Sequence, residues 1–430
     1  MTLDINQIRQ KFPALSCSAV FFDTPGGTQI CQHALDRINH YLVETNANHG
    51  GAFSTSRESD AMVEATRAAA ADFLNAARPE EIVFGPNMTT LTYNISRALG
   101  RTFKPGDTIV VTHLDHDANI SPWLQVAEDR GCRVRWVDFN PEDCTLNLED
   151  FQKAMEEKPR LVALTHASNA VGTITPVSRL VRTAHEAGAL VYVDAVQFAP
   201  HGPIDVQKLG VDFLVCSSYK YFGPHLGVLY GRYELLDNLQ AYKVRPADPL
   251  PPAKFETGTA TFENIAGLLG TLEYLEWVGQ TFGQEHFELY REDYSGRRCN
   301  FKQAMSAIRS YEYEINRSML DYLAEVPGLQ LFGISDPRRL DERVPTFSFT
   351  MRGWAPEQIA GQLARRGIHA WDGNFYALAV TTRLGLEGKG GLIRVGAAHY
   401  HTLDEVHRVG EALLDLSKGF SRTDPECRDQ

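Results

Sequence analysis

Two ionisable residues stand at the ends of apolar runs. The segment LVYVD closes on Asp194, and further on the run FLVC leads into SSYKYFG, which carries Lys220. Short apolar runs of this kind read as buried strands, so both side chains leave a sheet near its edge and can face one crevice. A lysine placed there can form a Schiff base with an aldehyde. A carboxylate beside it can keep a pyridine nitrogen protonated. The pair suits pyridoxal 5'-phosphate (PLP), whose protonated ring is an electron sink. Taken singly, each residue also fits a plain role, as a surface lysine and a helix-capping aspartate. The neighbouring segments decide between these readings.

Met88-Thr89-Thr90 follows the run IVFGPN and opens a helical stretch. Free backbone amides at a helix start, joined by the hydroxyls of Thr89 and Thr90, make a phosphate site, although such residues also serve as an N-cap. Ser217 and Tyr219 flank the lysine and can close a phosphate cup. His116, in HLDHDANISPW, follows another apolar run, and a flat imidazole there can stack on a pyridine ring. Asn169, in THASNAVGT, follows LVAL, and Gln197 comes shortly after Asp194; either amide can reach a ring hydroxyl.

These positions require a sheet whose strand ends converge. Strand and helix signals alternate through the first half of the chain: helix 58–74, strand 81–84, helix 89–99, strand 108–112, helix 119–130, strand 133–138, helix 148–156, strand 161–165, helix 177–187, and strands 190–194 and 211–217. The alternation predicts an α/β fold with a mostly parallel central sheet and helices on both faces. Ligands bind such a sheet at the carboxyl ends of its strands. A long helix at 266–278 can carry the chain out of this domain. Beyond it, helix 311–326, strand 346–351, helix 357–366, strand 391–395 and helix 403–416 predict a smaller α+β C-terminal domain. The expected division is an N-terminal segment, 1–25, packing on the small domain; a large cofactor-binding domain, 26–280; the small domain, 281–420; and a frayed tail, 421–430.

The 430-residue chain has a formal net charge of −12. This acidic balance argues against nucleic acid or an anionic membrane as a main partner. No apolar run approaches the ~20 residues of a membrane helix, and the start MTLDINQIRQKF lacks the build of a secretory signal. The seven cysteines are scattered and make no CxxC. That pattern predicts reduced thiols in a cytoplasmic protein, with neither a disulfide framework nor a metal site. No GxGxxG follows the first strands of the sheet, which argues against a Rossmann dehydrogenase.

The segments FFDTPGG, VFGPNMTTLTYN, HLDHDANISPW, THASNAVGT, VYVDAVQ, SSYKYFGP, FETGTAT and IRVGAAHYHTLDEV run in this order along nearly the whole chain. Together they resemble the class V aminotransferase family of fold-type I PLP enzymes, in its cysteine desulfurase-like branch. The resemblance implies the fold-type I transferase architecture and a homodimer with shared active sites. It makes Lys220 the Schiff-base lysine and proton carrier, Asp194 the partner of the pyridine nitrogen, and His116 the stacking ring. Asn169 and Gln197 would bond the ring oxygen, and Thr89, Thr90, Ser217 and Tyr219 the phosphate. Thr259 and Thr261 would reach the partner's phosphate. Arg394 would fork the substrate carboxylate, the pairing a guanidinium makes best.

The departures from the family pattern bear on the reaction. Tyr376 stands where desulfurases carry a nucleophilic loop cysteine, and no cysteine lies between Cys299 and Cys427. Trp371 takes the place of a second arginine, Tyr219 that of a histidine, and Ala52 that of another histidine. The remaining substrate pocket is expected from His49, Phe53, Arg57, Trp371, Asn374 and Tyr376. The resemblance implies that an amino-acid substrate displaces Lys220, which then removes the α-proton. Elimination of a β-substituent, transamination and epimerisation all branch from that point. The missing cysteine favours C–S β-elimination from a cysteine-derived substrate, without a persulfide on the loop. An aminotransferase or an amino-acid epimerase or racemase is the alternative, and a non-catalytic PLP-fold binding protein is the alternative of another class.

Overall fold

The computed structural model describes residues 3–420; the tail expected at 421–430 lies outside the described residues. Its strands are β1 (Val20–Phe21), β2 (Ile82–Gly85), β3 (Thr108–Thr112), β4 (Arg133–Val137), β5 (Leu161–Thr165), β6 (Leu190–Asp194), β7 (Phe213–Ser217), β8 (Gly227–Gly231), β9 (Leu329–Phe332), β10 (Thr346–Met351), β11 (Ile368–His369), β12 (Trp371–Gly373) and β13 (Leu392–Gly396). Seven of them form one sheet in the order β2-β8-β7-β6-β5-β3-β4. The pairs from β7 through β4 are parallel, whereas β8 runs antiparallel to both β2 and β7. Every residue of β3, β5 and β7 is buried, as expected of parallel strands covered on both faces.

The chain steps outward from β3 to β4, then returns to lay β5, β6 and β7 on the other side of β3. The strand order therefore reverses between β3 and β5. In open α/β sheets that reversal opens a crevice at the strand ends. His116 follows β3 and Asn169 follows β5, so the two flank the crevice, with Asp194 ending β6 and Lys220 following β7.

The antiparallel β8 was not expected, because GVLYG lies between loop-like PHL and its own terminal glycines. Packing explains the glycine at its start. A Cβ on Gly227 would meet the backbone carbonyl carbon of Asn87 at 2.5 Å. Only a bare α-carbon lets β8 lie against the turn that opens the helix Met88–Gly100.

Two helices are much longer than their patterns suggest. Phe262–Phe282 replaces the expected 266–278, and Gly296–Glu325 replaces 311–326. In the first half of the latter, Lys302 and Gln303 are buried among Phe301, Ala304 and Met305, which interrupts the apolar periodicity. That half packs in the core beneath the large sheet. The second half packs Ile315, Met319, Leu320 and Leu323 in the core of a smaller sheet.

This smaller sheet is antiparallel, in the order β12-β13-β10-β9. Its register sets Arg394 of β13 between Ser348 of β10 and Trp371 of β12. The N-terminal segment divides its packing. Ile8 and Phe12 are buried with the large core, while Val20 and Phe22 belong to the smaller one, where β1 pairs with β11.

Candidate active site

The strand ends of the large sheet and the face of the small one enclose a cavity of about 490 Å³. Thr89, His116, Asn169, Asp194, Gln197, Tyr219 and Lys220 line it from the first side, and Trp371, Asn374, Tyr376 and Arg394 from the second. Residues scattered over some three hundred positions thus meet, those of the first side at or past strand ends of the large sheet, and Trp371 and Arg394 on strands of the small one.

The floor of the cavity holds charges that burial strains. Lys220 donates from Nζ to the carbonyl of Pro25. Desolvation, helped by repulsion from Arg394 and opposed by Asp194, brings its pKa down to about 7, so near neutrality much of it is free amine. The Asp194 Oδ1 accepts the Val196 N–H at 2.8 Å, and burial pushes the carboxyl up to about 6. His116 accepts the Ala118 N–H on Nδ1 at 3.0 Å. Desolvation first, then Lys220 and Arg394, push it down to about 4, so the imidazole is neutral at physiological pH. Arg394 is buried and donates from Nη1 to the Asn169 carbonyl at 2.8 Å. Burial lowers its pKa to about 9, which still leaves it a cation near pH 7.

Several polar groups in the wall lack partners among the described residues. The Nε of Arg394 and the Oδ1 of Asn169 are buried and unpaired, while Asn169 Nδ2 donates to the Phe375 carbonyl at 2.9 Å. Buried polar atoms are rarely left so, and a buried guanidinium without an ion-paired carboxylate is costly. Both are suited to a ligand: one accepts a hydroxyl proton, the other binds an anion.

Other expected residues are placed differently. The Thr90 N–H is taken by Oδ1 of Asn87 at 2.8 Å, because Asn87 is the N-cap and the helix starts at Met88. Ser217 is fully buried, and its Oγ accepts the Met88 N–H at 3.3 Å. Gln197 donates to Thr346 Oγ1 at 2.9 Å, tying the large sheet's loop to β10. Thr90, Thr259 and Thr261 line a separate cavity of about 110 Å³. His49, Phe53 and Arg57 are exposed and do not reach the first cavity. Tyr376 lines the cavity but is 75% exposed, with its ring stacked on His116 at 5.7 Å between centroids.

Pro25, Gly26 and Phe375 also line the cavity without having been singled out. DTPGG was visible as a motif. Its use was not, because the Pro25 carbonyl meets Lys220 and Gly26 meets Trp371 only after folding.

A family model described as class V aminotransferase matches residues 20–295 and 299–409. A cysteine desulfurase of Synechococcus elongatus is 33% identical over 439 residues, spanning 97% of this chain and 64% of that protein's length. The aminotransferase-like protein FGM3 of Gibberella zeae is 32% identical over 96% of this chain and 98% of its own. Among solved structures, the apo cysteine desulfurase of Thermococcus onnurineus superposes with a TM-score of 0.86 at 27% identity, covering 97% of this chain and 99% of that one. The Escherichia coli cysteine desulfurase CsdA, in its S-sulfonic acid form, gives 0.80 at 26% identity over 98% and 100% of the two chains. The chain belongs to the class V aminotransferase family, and its fold is that of the PLP-dependent enzymes of fold type I.

Members of this family use PLP, and the residues present fit that group. Asp194 is a buried carboxylate whose raised pKa an adjacent pyridinium would relieve. The free Oδ1 of Asn169 can accept the ring hydroxyl proton. Thr89 stands in the cavity wall at the start of the helix Met88–Gly100, where its hydroxyl and the positive end of the helix dipole favour phosphate. Lys220 opens into the same cavity as an amine held near neutrality.

Proposed function

We propose that this protein is a PLP-dependent C–S lyase. It takes an S-substituted cysteine and water to a free thiol, pyruvate and ammonia. The observation that carries this reading is that, among the described residues, no cysteine lines the cavity containing Lys220 and Arg394. Cys31, Cys144 and Cys216 are buried elsewhere, with thiols pushed up to about 12 by desolvation. Sulfur transfer to the protein requires a thiolate at the substrate sulfur, and these thiols are neither ionised nor in reach of the cavity.

Bound PLP supplies the electron sink that makes the α-proton of an amino acid removable. The protein's own residues supply the rest. Arg394 holds the carboxylate and so fixes which face of the amino acid meets Lys220. Lys220, as free amine, takes the α-proton. Breaking the Cβ–S bond then carries the electron pair away on sulfur, and the thiolate leaves through the mouth beside Trp371 and Tyr376. His116, a flat ring kept neutral by burial, would hold the cofactor ring without competing for the proton. The released enamine tautomerises and takes up water, which gives pyruvate and ammonia.

Incubating the holoenzyme with cysteine and with its S-alkyl derivatives tests the reading. Equal amounts of thiol and pyruvate should appear, and mass spectrometry of enzyme trapped during turnover should find no persulfide. A keto acid retaining the substrate's side chain would indicate transamination. A persulfide needed for activity would overturn the lyase.

The same reading includes a cytoplasmic homodimer, with the chain divided near residues 25, 280 and 420. Two observations support the dimer. Thr259 and Thr261 are exposed and lie in a cavity apart from Lys220, as residues serving a neighbouring copy would. Light scattering should find the active species to be a dimer, and a fully active monomer would refute it.

A further inference from the structure

The loop that follows Trp371 carries an unusual backbone. Phe375 and Tyr376 are consecutive aromatic residues with φ of 58° and 57°. Bulky side chains rarely occupy this left-handed region, and such strain persists only where the surroundings impose it. Here they do. Asn169 Nδ2 donates to the Phe375 carbonyl at 2.9 Å, and the Asp117 N–H to the Tyr376 carbonyl at 2.7 Å. The Tyr376 N–H donates to Asn374 Oδ1 at 3.1 Å, and Asn374 Nδ2 is anchored on Glu387 at 2.9 Å.

What this backbone accomplishes is the placement of rings. Phe375 covers the Arg394 guanidinium, 4.1 Å from ring centroid to Cζ. Tyr376 lies on His116, with planes 17° apart. Across the mouth, Trp371 sits opposite Arg394 in the β12–β13 register, its indole against Gly26, where a Cβ would fall 2.4 Å from Nε1. Trp371 is still 50% exposed and Tyr376 75%. Two aromatic rings, set by these backbone contacts, are therefore partly open to solvent where they line the cavity, available to an apolar group that enters it.

Both rings line the cavity that the substrate must enter. Arg394 takes the carboxylate and Lys220 the α-carbon, which leaves the mouth as the one direction for a side chain. A bare thiol stops inside the cavity and leaves both rings in water. A planar group on the sulfur would lie among them. We propose that Trp371 and Tyr376 form an aromatic clamp for the sulfur substituent, and that the favoured substrates are cysteine thioethers bearing a flat aromatic or heteroaromatic group. The inference rests on the elimination reading of the site and extends it to a substrate class.

The test compares S-benzyl-L-cysteine, S-methyl-L-cysteine and L-cysteine on the PLP-loaded enzyme. Pyruvate release gives kcat/KM, and the absorbance change of the bound cofactor gives dissociation constants. The benzyl compound should exceed the methyl compound by about ten-fold, since each stacked ring contributes a few-fold. Trp371→Ala and Tyr376→Ala should each lower that ratio several-fold. Trp371→Phe and Tyr376→Phe, which keep a flat ring, should preserve it and guard against misfolding of the alanine variants.

Equal kcat/KM for benzyl and methyl compounds in the unaltered enzyme would overturn the clamp while leaving the lyase intact. Tighter binding of the benzyl compound with no pyruvate from any thioether would support the clamp and sink the elimination reading instead. If Trp371→Ala left the ratio unchanged but dissociated the dimer, the ring would be covered by a second copy of the chain, and the clamp would be wrong.

Discussion

Replacing Lys220 by alanine is expected to lower turnover by about 10³-fold or more, toward the upper end of what a positioned acid–base group contributes. The side chain is buried at the end of β7, where no other amine lines the cavity. His116 cannot substitute for it. Its ring is neutral, but Nδ1 is already engaged by the Ala118 N–H, and the pKa near 4 makes it a poor proton carrier at neutral pH. The fold should survive. The folded-state pKa of Lys220, about 7, lies below the ordinary lysine value, so the folded protein is the weaker proton binder at this site. Its destabilising effect is therefore full below about pH 7 and fades as the pH rises toward the ordinary lysine range. Removing the amine lifts that burden. Thermal melting of the cofactor-free proteins at pH 6 should accordingly show the variant no worse than expected from the lost packing of one side chain. Cofactor uptake by the unaltered enzyme should increase through pH 7 as the free amine appears. Full activity in the alanine variant would end the assignment of Lys220 as the proton carrier.

How much of this site could be read from sequence depends on what each residue relies on. Asp194, Lys220, His116 and Asn169 sit just past apolar strands, and the parallel sheet gathers such positions whatever the details of packing. Their meeting was legible for that reason. At Thr90 a local interaction intervenes: the side chain of Asn87 caps the helix one position earlier than the threonine pair suggests. Ser217 is engaged by the Met88 N–H, a partner far away in the chain that the sequence does not display. The first half of the helix Gly296–Glu325 escaped notice because buried Lys302 and Gln303 occupy core positions. Lys302 is satisfied there by the Ile204 carbonyl, a long-range partner that no periodicity reveals. The aromatic loop was the least legible. Nothing in GNFYAL announces two left-handed aromatic residues, since the conformation is imposed by Asn169 and Asp117, both far away in the chain.

Arg394→Ala should raise KM for an amino-acid substrate by about 10² to 10³-fold, the range expected when one partner of a desolvated charge pair is removed. Three features make this arginine more than a surface cation. It is 4% exposed, its Nε has no hydrogen-bond partner among the described residues, and Asp23 acts on it only from beyond ion-pair distance. A buried guanidinium in that state is prepared for an anion, and a carboxylate is the anion every amino-acid substrate carries. Arg394→Lys should recover little of the loss. An ammonium offers no planar fork, and it cannot reproduce both the flat contact beneath Phe375 and the hydrogen bond to the Asn169 carbonyl. The loss should fall mainly on KM, with kcat reduced less, because the contact is made before any bond breaks and persists through the reaction. A structural role predicts something else. It would lower kcat and KM effects alike across substrates, together with the melting temperature, because the Asn169 turn would loosen. An amine that lacks the carboxylate separates the two directly. If its weak reaction is unaffected by Arg394→Ala while that of the full amino acid collapses, the arginine binds the carboxylate. If both collapse equally, Arg394 holds the fold of the site and the substrate's acid group is bound elsewhere.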